Sequence, residues 1–258
     1  MTLGARQRRL VELALTLAAP LVLLATWETL SRTGVLDQRF WPPPSSLGGE
    51  TWALLRDGSL LTDVRVSLGR ILGGFVLGAL PAVLFGLAMG LFWPVRAFLM
   101  PIATAIYAIP KIALVPLVVI VFGFGETSKY VIVALSIFFL VALNTMAGVL
   151  AIDRSYKDVA RNFGASPAAL FLTVALPGAL PAIFTGLRLG LGFCLVVIVG
   201  TEFFAADEGI GEFIYTSWQI YAIKKVYIGL VVTGLMGWLL TLGLNLVERR
   251  ALPWNPAE

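Results

Sequence analysis

The sequence predicts an all-α integral membrane protein with six transmembrane helices, and three observations carry that prediction. Of 258 residues, 59% are hydrophobic and only 13% are charged, against about 25% charged in soluble domains. The mean hydropathy is +0.90. A soluble chain has too much surface facing water to hide that much apolar side chain. The apolar residues also fall into runs of about 20, the length needed to cross about 30 Å of hydrocarbon.

The runs are justified in order. The first is Leu10 to Leu30, preceded by the basic stretch MTLGARQRRL. That opening resembles a signal peptide, but no clear small-residue cleavage site follows, so a retained first span is expected. The loop FWPPPSSLGGETW comes next. Pro42 to Pro44 exclude a helix interior, a surface helix is expected around Leu47 to Leu55, and Trp41 and Trp52 suit the interfacial belt. The second span is Ser67 to Phe92, with no charge from Ile71 to Val95. Within it Gly69–Gly73, Gly74–Gly78 and Gly86–Gly90 have GxxxG spacing, which suits either packing within the chain or a subunit interface. The third span, Ala97 to Phe122, is interrupted by Lys111 between Pro110 and Pro116. The fourth is Tyr130 to Leu150, the fifth Pro181 to Phe203, and the sixth Val226 to Val247.

Six spans put both termini on one side. Arg6, Arg8 and Arg9, Arg96, Arg154, Lys157 and Arg161, and Arg249 and Arg250 all fall on the side shared by the termini. The positive-inside bias makes that side cytoplasmic. A multi-pass protein of the plasma membrane is therefore expected, forming one domain over residues 1–258. The chain has no histidine, so imidazole catalysis and histidine metal sites are excluded. Its one cysteine, Cys194, lies in an apolar run and reads as an inert buried thiol. No carboxylate cluster suggests a metal site, and no GxxxxGKS loop for nucleotide occurs. No catalytic residue and no nucleic-acid partner is expected.

Between the fourth and fifth spans the chain interrupts itself with DVARNFGASPAALFLTVALP, Asp158 to Pro177. Ser155 to Asn162 reads as a short helix of mixed polarity. Gly164 supplies a turn, because glycine accepts positive φ without steric penalty. Ser166 suits the cap and Pro167 the first position of a second short helix, Ala168 to Val174. Leu176, Pro177 and Pro181 then steer the chain into the fifth span. Two interfacial helices split by glycine and proline are expected here, rather than a seventh crossing. On physical grounds this knob suits docking of another protein or packing beneath its own bundle.

The same residues resemble the cytoplasmic EAA loop of permease subunits of binding-protein-dependent ABC importers. That loop has Glu-Ala-Ala, three residues, Gly, nine residues, then Ile-x-Leu-Pro. Here Asp158-Val159-Ala160, Gly164 and Val174-x-Leu176-Pro177 keep the spacing with conservative replacements. The stretches AIPKIALVPLVVIVFGFGETSKYVIVALSIFFLVALNTMAGV and LPAIFTGLRLGLGFCLVVIVGTEFFAADEGIGEFI are similar to the nitrate, sulfonate, taurine and bicarbonate branch. The resemblance implies a type I ABC importer permease fold whose coupling loop, residues 153–177, seats in a groove of an ATPase. By position it assigns that contact to Asp158, Ala160, Gly164, Ala165, Ser166 and Leu170, and orientation of the link to the membrane helices to Leu176 and Pro177. It further implies a second permease copy, two cytoplasmic ATPase subunits that bind the ATP and Mg, and an extracytoplasmic substrate-binding protein. The chain itself would hold no cofactor. The resemblance implies inward transport of a small organic or inorganic anion such as sulfonate, taurine or nitrate, with a pyrimidine-type vitamin precursor as the alternative because the branch also serves those; for an ion-coupled secondary transporter, the sequence shows neither inverted repeats nor a midplane ion site.

Polar residues inside the spans are few. Lys111 either lines a pathway and attracts an anion, or snorkels to an interface on its four-carbon stem. Arg188, two turns into the fifth span and near its cytoplasmic end, either helps an anion or snorkels or anchors the loop, and Asn144 is a third pathway candidate. Glu202, at the end of that span, reads as a solvated rim, a partner contact, or a partner of Lys224 and Lys225.

Overall fold

The computed structural model describes residues 5–254, and every element in that range is helical. The chain termini, for which a cytoplasmic position is expected, lie outside the described residues. Among the described residues five helices are long and apolar enough to cross a membrane, and a bent pair raises the number to six if it counts as one span. The described chain divides into two compact units, Met1–Leu61 with Phe213–Leu230, and Thr62–Glu212 with Val231–Glu258.

The first unit contains α1 (Ala5–Arg32) and α2 (Leu47–Arg56). Pro43 is extended, and a single 3-10 turn over Pro44–Ser46 leads into α2, where the sequence places a surface helix. The loop is tied to the end of α1 by Ser31, whose hydroxyl donates to the Trp41 carbonyl at 2.7 Å. Glu28 accepts from the Ser45 amide at 3.0 Å. Trp27 and Trp41 flank Tyr227 at 5.1 and 6.2 Å between ring centroids. The Tyr227 hydroxyl donates to the Phe40 carbonyl. Trp41 and Trp52 are both exposed, consistent with a belt position.

The second unit is built around α3 (Ser59–Leu91), α4 (Trp93–Tyr107), α5 (Val115–Phe122) and α6 (Glu126–Ala151). It continues through α7 (Arg154–Asn162), α8 (Pro167–Leu170) and α9 (Leu176–Ala205). The helix α10 (Ile210–Gln219), which the sequence reading does not anticipate, and α11 (Ile223–Ala251) complete the chain. The core lies where α3, α6 and α9 meet. Leu87, Val149, Ala179 and Ile183 form one buried cluster, and Met89, Ala103 and Met146 another.

The glycines of α3 decide how closely it approaches α6. A Cβ on Gly78 would stand 2.6 Å from the Ala134 carbonyl oxygen and 2.8 Å from its Cα. Gly73, Gly74, Gly86 and Gly90 face Tyr130, Val133, Thr145 and Val149 of the same helix, whereas Gly69 faces open space. The small face of α3 is therefore used for packing within the chain.

Two expected elements differ. The third span is not one helix: α4 and the segment Lys111–Phe122 meet at 89°. Pro110 is extended and Pro116 opens α5. A proline disfavours helical geometry in the residue before it and removes an amide donor, which accounts for the break. The second short helix of the knob is also not separate. Residues Pro167–Ala205 run as one helical segment of 39 residues. Within it, Phe171–Ala175 form a single π-turn, closed by the Leu176 amide on the Phe171 carbonyl. Pro177 lacks an amide and its ring would press on the Thr173 carbonyl of an α-helix. Widening one turn moves that carbonyl aside and lets the helix continue.

Candidate coupling site and buried charge centre

The interrupted region begins at Asp153, whose carboxylate accepts the Ser155 amide at 2.8 Å and caps α7. That backbone hydrogen bond holds the Asp153 carboxyl below its usual range. The far end of α7 closes as a Schellman motif. Gly164 stands at φ +75°, its amide donates to Arg161 at 2.8 Å, and the Ala165 amide donates back to Ala160 at 3.0 Å. The Ala-to-Gly spacing of the sequence motif is thus the spacing of a helix stop. Ser166 then accepts the Ala169 amide at 3.2 Å, with Pro167 in the first turn of α8, as expected.

Tyr156, Val159 and Phe163 follow one another by three and four residues, which puts them on one face of α7. All three are exposed, Phe163 by 88%. Asp158 is also exposed, 3.6 Å from Arg161, a solvated pair of little energetic weight. Leu170 is half-buried. Behind this exposed face, Phe171 and Leu176 pack on the cluster of Leu87, Val149, Ala179 and Ile183, and Ala175 is fully buried. The arrangement is a short helix with an apolar outer face, bounded by two caps and followed by a segment, Phe171 to Leu176, that packs into the core of α3, α6 and α9.

The three pathway candidates are each already engaged. Lys111 is 8% exposed, and its ammonium donates to the carbonyls of Ile106, Tyr107 and Ile109 at 2.6, 3.2 and 2.8 Å. It satisfies carbonyls freed where α4 ends, in the region of that helix's negative pole. The Asn144 amide donates to Leu140 of its own helix at 2.8 Å, and its Cβ faces Gly186 of α9. Arg188 pairs with Glu248 and ties α9 to α11.

The most polar feature of the bundle was not singled out from the sequence. Arg70 on α3 is 4% exposed and Glu202 on α9 is fully buried, and they pair at 2.8 Å. Glu202 also accepts from the Ser67 hydroxyl at 2.8 Å and the Gly211 amide at 2.9 Å. Ser67 in turn accepts the Ile210 amide. Arg70 extends a fork to Glu126 at the start of α6, at 2.8 and 2.6 Å, and donates to the Glu208 carbonyl at 2.6 Å. Glu202 is therefore not a solvated rim, nor a partner of Lys224 and Lys225. One readable signal exists: an arginine just inside the second span and a glutamate just inside the fifth, at ends that face the same side.

The family described as binding-protein-dependent transport system inner membrane component matches residues 74–253. The taurine transport system permease protein TauC of Escherichia coli (strain K12) is 35% identical over 249 residues, covering 95% of this chain and 90% of that protein. The putative aliphatic sulfonates transport permease protein SsuC of the same organism is 33% identical over 238 residues, covering 92% and 90%. In fold, the chain resembles a subunit in inward-facing conformations of the MetNI methionine ABC transporter. The TM-score is 0.60 at 19% identity, over 79% of this chain and 98% of that one. A fold of membrane helices with a capped outer helix and a match across most of the chain agree: this protein belongs to the family of inner-membrane permease subunits of binding-protein-dependent ABC transport systems.

Proposed function

We propose that the chain forms the membrane pathway of an ATP-driven importer for small oxyanions of the sulfonate class. The observation that carries the solute class is the similarity over 95% of the chain to a taurine permease, alongside the aliphatic sulfonate permease. Two copies would enclose the pathway, with both termini in the cytoplasm as the arginine and lysine distribution favours. Two ATPase subunits would bind ATP and Mg and seat α7, so that closure of the ATPases pulls on Phe171 and Leu176 and re-packs α3, α6 and α9. A soluble binding protein would deliver the solute from outside. Switching access then requires only that the bundle have two packings of similar energy, biased by nucleotide below and the loaded receptor above.

Proteoliposomes holding the permease with its ATPase and binding protein test the reading. Uptake of a labelled sulfonate should require ATP, the receptor and the ATPase together. Receptor-dependent uptake of a cationic vitamin precursor, with no sulfonate uptake, would overturn the solute class.

A further inference from the structure

At the end of the bundle opposite α7, a cavity of about 490 Å³ is lined by Thr62, Arg65 and Arg70 of α3, Glu126 and Tyr130 of α6, and Glu208. Its placement follows from helix length. The uncharged part of α3, Ile71 to Leu91, is 21 residues and by itself crosses about 30 Å. Residues 62–70 therefore stand at the end of that span, and Thr62, Arg65 and Gly69 at the cavity's mouth are exposed.

The wall is rigid where it is buried. Arg70 is held by Glu202 and the Glu208 carbonyl from behind, and it fixes Glu126 by a bidentate fork. The Glu126 side chain also lies 3.5 Å from the Lys129 ammonium, so two cations meet its charge, but it is 51% exposed and part of its carboxylate still faces the cavity. Arg65 and Glu208 are exposed and line the same cavity, and among the described residues neither side chain makes an ion pair. The lining thus carries two guanidinium groups and two carboxylates. A simple anion would be attracted at Arg65 and repelled by Glu208, whose charge no cation meets, whereas Glu126 is paired with Arg70 and Lys129. A solute with an oxyanion at one end and an ammonium at the other satisfies both.

We infer that this cavity is a receiving site for small zwitterions of the amino-sulfonate type. Arg65 takes the oxyanion, Glu208 with the Arg70-held Glu126 takes the ammonium, and Arg70 positions Glu126. The inference rests on the import reading above and narrows its solute class.

Labelled taurine, the smallest convenient amino-sulfonate, is equilibrated with the full chain in lipid nanodiscs. Ethanesulfonate and ethylammonium serve as competitors. Unlabelled taurine should compete at least tenfold better than either one-charge analogue. Arg65→Ala should weaken taurine binding tenfold or more. Glu208→Gln should weaken taurine similarly and strengthen ethanesulfonate competition, because the charge that repels a simple anion is gone. Both side chains are exposed, so the elution profile and helical content should stay those of the parent. Absence of saturable taurine binding, equal competition by all three solutes, or parent-like binding by both variants would each overturn the site. Uptake in proteoliposomes separates the two failures. Sulfonate uptake that survives both substitutions unchanged leaves the import reading standing and removes the site, whereas no uptake by the parent removes the import reading.

Discussion

Replacing Gly78 by alanine should destabilise the bundle, and replacing Gly69 should not. The added Cβ at Gly78 would lie 2.6 Å from the Ala134 oxygen and 2.8 Å from the Ala134 Cα. Ordinary contact begins at 3.4 Å, so α3 and α6 must separate by about 0.8 Å at that level, or the backbone must bend. Both obstacles are main-chain atoms and no rotamer change relieves them. Neighbouring Gly74 and Gly86 are in similar contact with α6, so separation at one level loosens packing at the next. Overpacking of this kind costs about 1–3 kcal/mol. At Gly69 nothing lies within 4 Å, and alanine there has the better helix propensity by up to about 1 kcal/mol. Thermal unfolding of the detergent-purified chain, followed by fluorescence size-exclusion, reads the difference. Gly78→Ala should melt several degrees below the parent, with Gly69→Ala at or above it. Equal melting of the two variants would refute the assignment of the glycine face to packing against α6.

Three further outcomes follow from the same structure. Arg70→Ala leaves the Glu202 carboxylate buried with no counter-charge and should lower stability by about 3–5 kcal/mol, while Glu126→Gln, at a half-exposed position, should cost clearly less; the same melting assay ranks them. Gly164→Val must place a β-branched residue at φ +75°, at a cost of at least about 1–2 kcal/mol. ATPase binding and transport should fall with membrane insertion unchanged, and Gly164→Asn should be milder because asparagine tolerates that region. The Asp153 cap predicts a pH response in α7. Its folded carboxyl lies below the ordinary range, so the capping contribution is complete above that range and is lost as pH falls through the lowered folded value. Hydrogen exchange of the Ser155 amide should therefore lose protection on acidification below about pH 4, and Asp153→Asn should remove that dependence.

What the sequence disclosed and what it withheld separate along one physical line. Information that resides in a local window was readable. Apolar run length marked the spans, and Gly164, Ser166 and Pro167 marked a turn and a cap. The Schellman bonds and the Ser166 bond to Ala169 stand where those residues place them. Two proline-bearing stretches were read less well, because proline removes one donor but does not say how the chain recovers. At Pro110 it recovers by an 89° turn whose loose carbonyls Lys111 collects; at Pro177 it recovers by one π-turn with hardly a pause in the helix. The difference is tertiary. Ala175 and Leu176 are held in the core and keep the helix on course, whereas Ile109, Pro110 and Ile112 are exposed and nothing opposes the bend.

The buried charge centre lies at the far end of that line. Ser67 and Arg70 meet Glu202 from more than 130 residues away, and no local window contains both. Read singly, Glu202 looks like a rim residue, because a lone carboxylate near a span end is most cheaply left in water. What reverses that expectation is the set of donors around it: a guanidinium, a hydroxyl and the Gly211 amide, all carried on helices. A charge becomes a core residue only when its solvation is replaced by such a shell. That shell also leaves Arg70 free to hold Glu126 at the cavity wall. Fold and candidate receiving site are therefore joined by the same side chain. An Arg70 substitution should damage both, while Arg65→Ala and Glu208→Gln should damage binding alone.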